Sequence, residues 1–153
     1  LRAELPQIPT LEELVERFGK KIHFFIELKP ANFDHIEIYN KSLKKILAGL
    51  NEKEDFHFLA QSIGLVLKFN AFSNDSYLLV SDINTKELSE QALSYKIGGL
   101  AGHYLLITDK VIQKHKNENQ LIGTGYVRSK SSLSREYNRE ADFVFTNHPW
   151  FLK

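Results

Sequence analysis

One segment carries the residues best suited to metal or phosphate chemistry. The segment IHFFIELKP, residues 22–30, is rich in aromatic and β-branched residues and ends at a proline, which is typical of a β-strand. Strand side chains alternate in direction, so one face is formed by His23, Phe25, Glu27 and Lys29. Glu27 and Lys29 fall at the carboxyl end of this strand. Parallel α/β folds place their active sites at that end.

Glu27 has two interpretations at this stage. An ionised carboxylate within a hydrophobic strand is costly unless it is paired or bound to a metal. The first interpretation is an ion pair with Lys29 or another cation that closes the end of the sheet. The second is a role as a metal ligand, and the pattern of residues leaves both open.

The histidines favour a more structural interpretation. His23 shares the face of Glu27 but lies about 13 Å from it, at about 3.3 Å per residue, and so at the opposite end of the strand. We expect His103, in a later strand, to be a hydrogen-bonded core residue, with a place at the active face as the less favoured alternative. His115 falls in a helix and is expected at the surface. His148 follows the last strand, where contact with a ligand is the less favoured alternative.

The elements that must position these residues alternate between strand and helix. A capping box formed by Thr10 and Glu13 predicts a first helix over residues 11–18, and Asp34 with Glu37 forms a second such pattern before a helix that Gly49 ends. Alternation of strands with helices indicates βαβ units and a parallel sheet. The predicted strands are residues 22–30, 56–62, 76–83, 99–107, 121–127 and 141–147. The last five begin about 20 to 24 residues apart, which suits a (β/α) barrel better than an open doubly wound sheet, although both remain open.

The composition excludes several classes of protein. The 153 residues include 20 Lys and Arg against 19 Asp and Glu, and this balance argues against nucleic acid or an anionic membrane as a partner. Because there is no cysteine, disulfides, cysteine-bound zinc and thiol catalysis are excluded. No apolar run approaches the roughly 20 residues of a membrane-spanning helix. No shift in composition marks a domain boundary, so residues 1–153 are expected to form one domain. The absence of cysteine does not determine the compartment, and the cytoplasm is slightly favoured as the location.

Several short motifs, in their order and spacing, resemble the glycerophosphodiester phosphodiesterase family. IPTLEEL at residues 8–14 and IELK at residues 26–29 are similar to the family's P-T-L-E-E helix start and its I-E-I-K or I-E-L-K strand. AQSI resembles the family's strand ending in Q-S-F, with Ile63 in place of Phe. ADFVFTNHP resembles its closing segment V-D-G-I-x-T-D-x-P, with Asn147 in place of Asp. Tyr126 lies in a Gly-Tyr-Val segment where the family usually has Trp-Thr-Val-Asn.

The resemblance implies a TIM (β/α)8-type barrel in which this chain supplies the third to eighth strands and lacks the first two βα units. It implies a divalent metal, Ca²⁺ or Mg²⁺, with Glu27 as the third carboxylate ligand and Lys29 as a phosphate contact. The family's H-R-G and E-x-D motifs, with the histidines that act as acid and base, are absent from this sequence and are expected before Leu1. The chain itself therefore contributes no catalytic histidine. Gln61 and Tyr126, at strand ends, are the further candidates for substrate contact.

The resemblance implies a metal-dependent hydrolase that cleaves glycerophosphodiesters to sn-glycerol 3-phosphate and an alcohol, in glycerophospholipid metabolism. The alternative is a non-catalytic domain of the same fold that binds a phosphate ligand or a partner, which the departures at Ile63, Tyr126 and Asn147 favour. A third interpretation is an unrelated doubly wound α/β protein, which strands that do not pair in sequential order would support. Six of the eight strands of such a barrel leave two open edges, so we expect a homo-oligomer or an additional N-terminal segment to complete the sheet.

Overall fold

The computed structural model describes residues 8–29 and 33–152. Six strands and six α-helices alternate along this part of the chain, from a first helix to a last strand followed by a short 3₁₀ turn. The strands are β1 (Phe24–Glu27), β2 (Phe56–Ala60), β3 (Tyr77–Ser81), β4 (Gly99–His103), β5 (Leu121–Gly125) and β6 (Phe143–Phe145). The helices are α1 (Leu11–Phe18), α2 (Ile36–Leu47), α3 (Ile63–Lys68), α4 (Thr85–Ser94), α5 (Asp109–Lys116) and α6 (Lys130–Asn138).

All six strands are parallel and pair in sequential order, β1 to β6. A doubly wound sheet reverses its strand order at a switch point, whereas a barrel adds each strand beside the previous one. The sequential order therefore confirms the expected barrel-type architecture and excludes the doubly wound alternative. The described chain forms a curled half-barrel with its helices alternating between the strands.

The main hydrophobic core lies between the sheet and the helices. In β2 and β3, Phe56, Phe58, Tyr77 and Leu79 are almost completely buried and share this core with helix residues such as Leu88. The face of β1 opposite Phe25 and Glu27 joins this core, because Phe24 and Ile26 pack against the same cluster. Burying such side chains contributes about 1.5–3 kcal/mol each, so this layer is the main support of the sheet.

The inner face of the sheet is filled by aromatic rings opposite small residues. Phe25 of β1 contacts Phe143 and Phe145 of β6, with ring centroids 4.8 and 5.4 Å apart. Phe143 occupies the space beside Gly123, where an added Cβ would lie 2.1 Å from its Cε2 atom. The glycine on β5 is thus needed for the close approach of this ring. These contacts bring the inner faces of the two end strands together.

Two local predictions need correction. The strands are shorter than predicted, because the chain turns away after His103 and after Gly125 instead of continuing in the sheet. The second capping box is wrong: a 3₁₀ turn (Phe33–His35) precedes α2, and its N-cap, His35, makes no side-chain cap hydrogen bond. Asp34 lies inside that turn and not at the start of the helix. The first capping box is confirmed, since Glu13 N–H donates to Thr10 and Thr10 N–H donates to Glu13.

The described sheet has β1 and β6 as its end strands. The two end strands do not pair with each other, so each has an outer edge of unpaired backbone groups within the described sheet. These are the two open edges on which the expectation of an oligomer or an additional N-terminal segment rests. Among the described helices, none is both long enough and apolar enough to cross a membrane.

Candidate functional site

A cavity of about 820 Å³ opens at the carboxyl ends of the strands. Each of the six strands contributes a polar or aromatic side chain at its end or just beyond it. In strand order these lining residues are Glu27, Gln61, Asp82, His103, Tyr126 and Asn147. Parallel strands align their carboxyl ends at one edge, which is why side chains up to 120 residues apart in sequence converge here. The structure thus brings three of the four predicted site residues, Glu27, Gln61 and Tyr126, to one cavity.

Glu27 forms an ion pair with Lys29. The Lys29 Nζ atom donates to Glu27 Oε1 at 2.5 Å, which matches the first interpretation of this carboxylate. Glu27 is less buried than its strand suggested, with 41% of its side chain exposed, because β1 is an end strand of the described sheet. Its role as a metal ligand remains a prediction.

Lys29 does not line the cavity. Its side chain is 68% exposed, and its ammonium is held on the Glu27 carboxylate. The pair places the lysine beside the cavity mouth, where it neutralises a lining residue. Its predicted contact with a phosphate stays a prediction.

His103 and Tyr126 form an aromatic stack at the cavity. Their ring centroids lie 4.7 Å apart, and His103 stacks on Tyr104 at the same distance. Tyr126 has a φ of 66°, a left-handed conformation that a bulky residue adopts only at some cost. Tyr126 is nevertheless 57% exposed and lines the cavity, so this strained residue offers an aromatic surface there.

The expectation that His103 is a core residue is wrong. It is half-buried and lines the cavity, since β4 ends at this residue and the chain then turns away. Its Nδ1 atom accepts a hydrogen bond from the backbone N–H of Leu105 at 3.1 Å. A neutral His103 therefore carries its proton on Nε2, which makes that nitrogen a donor. His148 also lines the cavity, and its contact with a ligand stays a prediction.

Other residues at the strand ends divide into cavity-lining and structural residues. Asp82 and Asn147 line the cavity. Ser62 instead caps α3, where its hydroxyl accepts a hydrogen bond from the Leu65 N–H at 3.3 Å. A cap of this kind stabilises a helix by about 1 kcal/mol, so Ser62 has a local structural role.

Arg128 is a lining residue that the sequence analysis missed. It lies in the loop between β5 and α6, outside every motif, and carries an exposed guanidinium group. The other arginines of α6 and its end, Arg135 and Arg139, are tied to the buried carboxylate of Glu136 at 2.7 and 2.9 Å. The signal that could have identified Arg128 is its place directly after the predicted strand over residues 121–127.

Whether a divalent metal fits at the cavity depends on the oxygen donors that the described residues supply. Ca²⁺ and Mg²⁺ take six or more oxygen ligands, usually including several carboxylates. Within residues 8–29 and 33–152, no three His, Asp or Glu side chains come together as a metal-binding group. Glu27 fits as one carboxylate ligand, and the described residues alone do not make a complete site.

Three other histidines lie away from the cavity. His23 is structural, as expected: its Nε2 lies 2.9 Å from His57 Nδ1 and its Nδ1 lies 2.9 Å from the Glu54 carbonyl oxygen. Burial and the neighbouring His23 lower the pKa of His57 to about 4. The surface position expected for His115 is wrong, because it is fully buried between Ser89 and Gln120, at 2.8 and 2.6 Å.

Comparison with solved structures identifies the fold. A glycerophosphodiester phosphodiesterase from Parabacteroides distasonis superposes with a TM-score of 0.75 at 14% identity, over 96% of this chain and 66% of that one. An Oleispira antarctica phosphodiesterase in complex with the product sn-glycerol-3-phosphate gives 0.71 at 18% identity, over 93% and 58%. The EAL domain of Xanthomonas citri FimX, in complex with c-diGMP, gives 0.64 at 14% identity, over 86% and 61%.

The chain spans only about 60% of the length of several of these solved structures. No protein-family model matches the sequence, and no curated protein matches it. At these low identities the superpositions establish the fold and not the activity. Six sequential parallel strands and coverage above 90% of this chain give the same result: the protein has the barrel fold of the glycerophosphodiester phosphodiesterases.

Proposed function

We propose that the protein is a metal-dependent phosphoric diester hydrolase that cleaves glycerophosphodiesters to sn-glycerol 3-phosphate and an alcohol. The observation that carries this proposal is the convergence of three separate motifs on one cavity. The strand ends of IELK, AQSI and FTNHP supply Glu27, Gln61 and Asn147 to the same edge of the sheet. The phosphodiesterase from Oleispira antarctica, which shares this fold, binds the product sn-glycerol-3-phosphate.

The proposed role of Glu27 is that of a ligand for Ca²⁺ or Mg²⁺. Hard cations prefer carboxylate oxygens, and such an ion would stabilise negative charge developing on a phosphodiester. Lys29, at 2.5 Å, fixes the position of the Glu27 carboxylate before any cation binds. The remaining ligands of a complete site would come from outside the described residues.

Gln61 and Tyr126 are the proposed substrate contacts, from the ends of β2 and β5. The amide of Gln61 can both donate to and accept from a glycerol hydroxyl. The exposed ring of Tyr126 offers an apolar surface to the carbon skeleton of the ligand. Proton transfer is assigned to no residue of this chain, because the histidines that the family resemblance implies have no counterpart in residues 1–153. The activity is therefore proposed for the protein at its natural full length.

The test is release of sn-glycerol 3-phosphate from glycerophosphocholine by that full-length protein. Charge stabilisation by a bound metal ion is worth several kcal/mol, so Glu27→Ala, which would remove a ligand of that ion, should lower kcat/KM by about 100-fold or more. Glu90→Ala, which removes an exposed carboxylate from α4, is the matched control and should retain full activity. Chelation should abolish the activity, and Ca²⁺ or Mg²⁺ should restore it. Full activity of Glu27→Ala would overturn the proposal.

The second candidate function is a non-catalytic domain of the same fold that binds a phosphate ligand. Its support is Asn147, which replaces a family Asp at the cavity, together with the lack of a three-residue acidic or histidine group within the described chain. The two candidates differ in turnover. Saturable binding of sn-glycerol 3-phosphate with no hydrolysis of glycerophosphodiesters, in the presence of either metal, would favour the second.

A further inference from the structure

We propose that Arg128 binds the phosphate group of the ligand in this cavity. The inference deepens the proposed function, and it rests on that function only for the identity of the ester. The binding of phosphate itself follows from the placement and charge of this side chain.

Arg128 is the lining arginine whose charge is uncompensated. It lies at the cavity, two residues beyond Tyr126, and its guanidinium makes no hydrogen bond or ion pair with any residue of the described ranges. Its backbone N–H alone is engaged, donating to Ser132 Oγ at 3.2 Å, which fixes the loop that carries it. The side chain thus starts from an anchored backbone with all of its donors available.

Lys29, which the family resemblance favours as the phosphate contact, is less well placed. Its ammonium lies 2.5 Å from Glu27, and it is not among the residues that line the cavity. Moving it to a phosphate would leave the Glu27 carboxylate without this partner. Arg128 incurs no such loss, and its planar guanidinium can offer a phosphate two parallel hydrogen bonds, which an ammonium cannot.

The cavity also contains a carboxylate without a cationic partner in the described chain, Asp82, since Glu27 is paired with Lys29. A phosphate should therefore bind at the guanidinium of Arg128 and away from Asp82, because like charges repel. The ring of Tyr126, stacked on His103, lines the same cavity as Arg128. A phosphate on Arg128 would place the organic part of an ester on or near this aromatic surface. The chemistry expected is therefore a phosphate ester whose organic part contacts this aromatic surface.

The test is a calorimetric titration with sn-glycerol 3-phosphate, at fixed ionic strength, of the wild-type protein and matched variants. Charge-assisted hydrogen bonds to phosphate are among the strongest in proteins, so Arg128→Ala should raise Kd by about tenfold or more. Arg128→Lys should give an intermediate Kd, because it keeps the charge and loses the planar fork. Lys130→Ala is the control: it removes an exposed cation two residues away that is outside the cavity, and its Kd should stay within about twofold. Thermal melting of each variant shows whether it is folded.

Three results would overturn the inference. The first is an unchanged Kd in a folded Arg128→Ala variant. The second is equal weakening by Arg128→Ala and Lys130→Ala, which would indicate a general charge effect. The third is loss of binding in Lys29→Ala but not in Arg128→Ala, which would assign the phosphate to Lys29. Because the titration requires no turnover, a failed hydrolysis assay leaves this inference standing.

Discussion

The amino and carboxyl ends of the strands differ in how many of their polar side chains have partners within the protein. At the amino end, the Glu52 carboxylate accepts hydrogen bonds from Ser73 and Ser76, and His23 bonds to His57. At the carboxyl end, Asp82 and Arg128 line a cavity and have no ion-pair or hydrogen-bond partner for their side chains within the described residues.

From this difference we infer that polar groups at the amino end stabilise the fold and that those at the carboxyl end contact a ligand. Satisfied hydrogen bonds and ion pairs at the amino end hold the loops that lead into β2 and β3, and their pKa shifts reflect structural pairing. Burial would raise the pKa of Glu52, but hydrogen bonds from Ser73 and Ser76 lower it below its usual value. Groups left available at the carboxyl end are free to contact a ligand, as is general for α/β barrels. Strongly perturbed pKa values alone would have indicated the amino end as the site, opposite to the end that we propose.

The largest expected effect is at the amino end. Glu52→Ala removes an acceptor of three hydrogen bonds, at 2.6–2.9 Å, and leaves the fully buried Ser76 hydroxyl with fewer partners. The free energy of unfolding should fall by about 3 kcal/mol. Hydrogen bonds to a charged group are worth roughly 1.5–3 kcal/mol each, and water around the half-buried Glu52 weakens all three. Urea denaturation measures this change. Affinity for sn-glycerol 3-phosphate should be unchanged at temperatures where the variant is folded.

Glu54→Ala is the matched control for this experiment. Glu54 is exposed, and its carboxylate accepts one hydrogen bond, from the Asn51 side chain at 2.9 Å. Its removal should cost less than about 1 kcal/mol. Equal destabilisation by the two variants, or lost ligand affinity in a folded Glu52→Ala variant, would break the proposed separation of the two ends.

The next effect is a dependence of stability on pH. His57 has a pKa of about 4 in the folded state, because of burial and the nearby His23, against about 6.5 when unfolded; Asp75 and Lys53 also act on it, in opposite directions. Between these values the unfolded chain binds the proton and the folded chain does not, so stability is lost as the pH falls from about 6.5 towards 4. The expected loss is roughly 2–3 kcal/mol.

Urea denaturation at pH 7, 5.5 and 4.5 checks this expectation. The pKa of the buried His115 is also lowered by burial and adds to the slope in the same direction. His57→Gln should reduce the slope without removing it. Stability that stays constant, or rises, between pH 6.5 and 4.5 would show that the buried histidines are not held neutral.

The smallest expected effect on stability is at the cavity. Tyr126→Asn places a residue that tolerates the left-handed conformation at a φ of 66° and removes the exposed ring. The free energy of unfolding should change by less than about 1 kcal/mol, because relief of strain offsets the lost stack with His103. Affinity for sn-glycerol 3-phosphate should nevertheless fall several-fold. Tyr137→Asn, at an 80% exposed tyrosine of α6, should change neither quantity.

A large loss of folding stability in Tyr126→Asn, with unchanged affinity for sn-glycerol 3-phosphate, would contradict the proposed difference between the two strand ends. It would show that this end of the sheet also serves stability. Measuring both the free energy of unfolding and the affinity for sn-glycerol 3-phosphate shows whether a residue serves stability or ligand binding.

Sequence patterns predicted the order of elements well, because hydrophobic periodicity and capping are local. The six strands, the Thr10 cap and the position of Glu27 all follow from short stretches of sequence. His115 was misplaced because it lies between two lysines in a polar helix, and its burial depends on Ser89, 26 residues away. Arg128 was missed for a related reason: an arginine in a loop becomes informative only once the cavity beside it is known.

The most direct test of the central claim is a map of where the ligand binds. Backbone amide chemical shifts, followed by NMR during titration with sn-glycerol 3-phosphate, report each residue separately. We expect the perturbed amides to cluster at the strand ends around Glu27, Gln61, Asp82, His103, Tyr126 and Arg128. We expect the amides around Glu52, His57 and Ser76 to be unchanged. Perturbations centred on the amino end, or none at saturating ligand, would contradict the central claim.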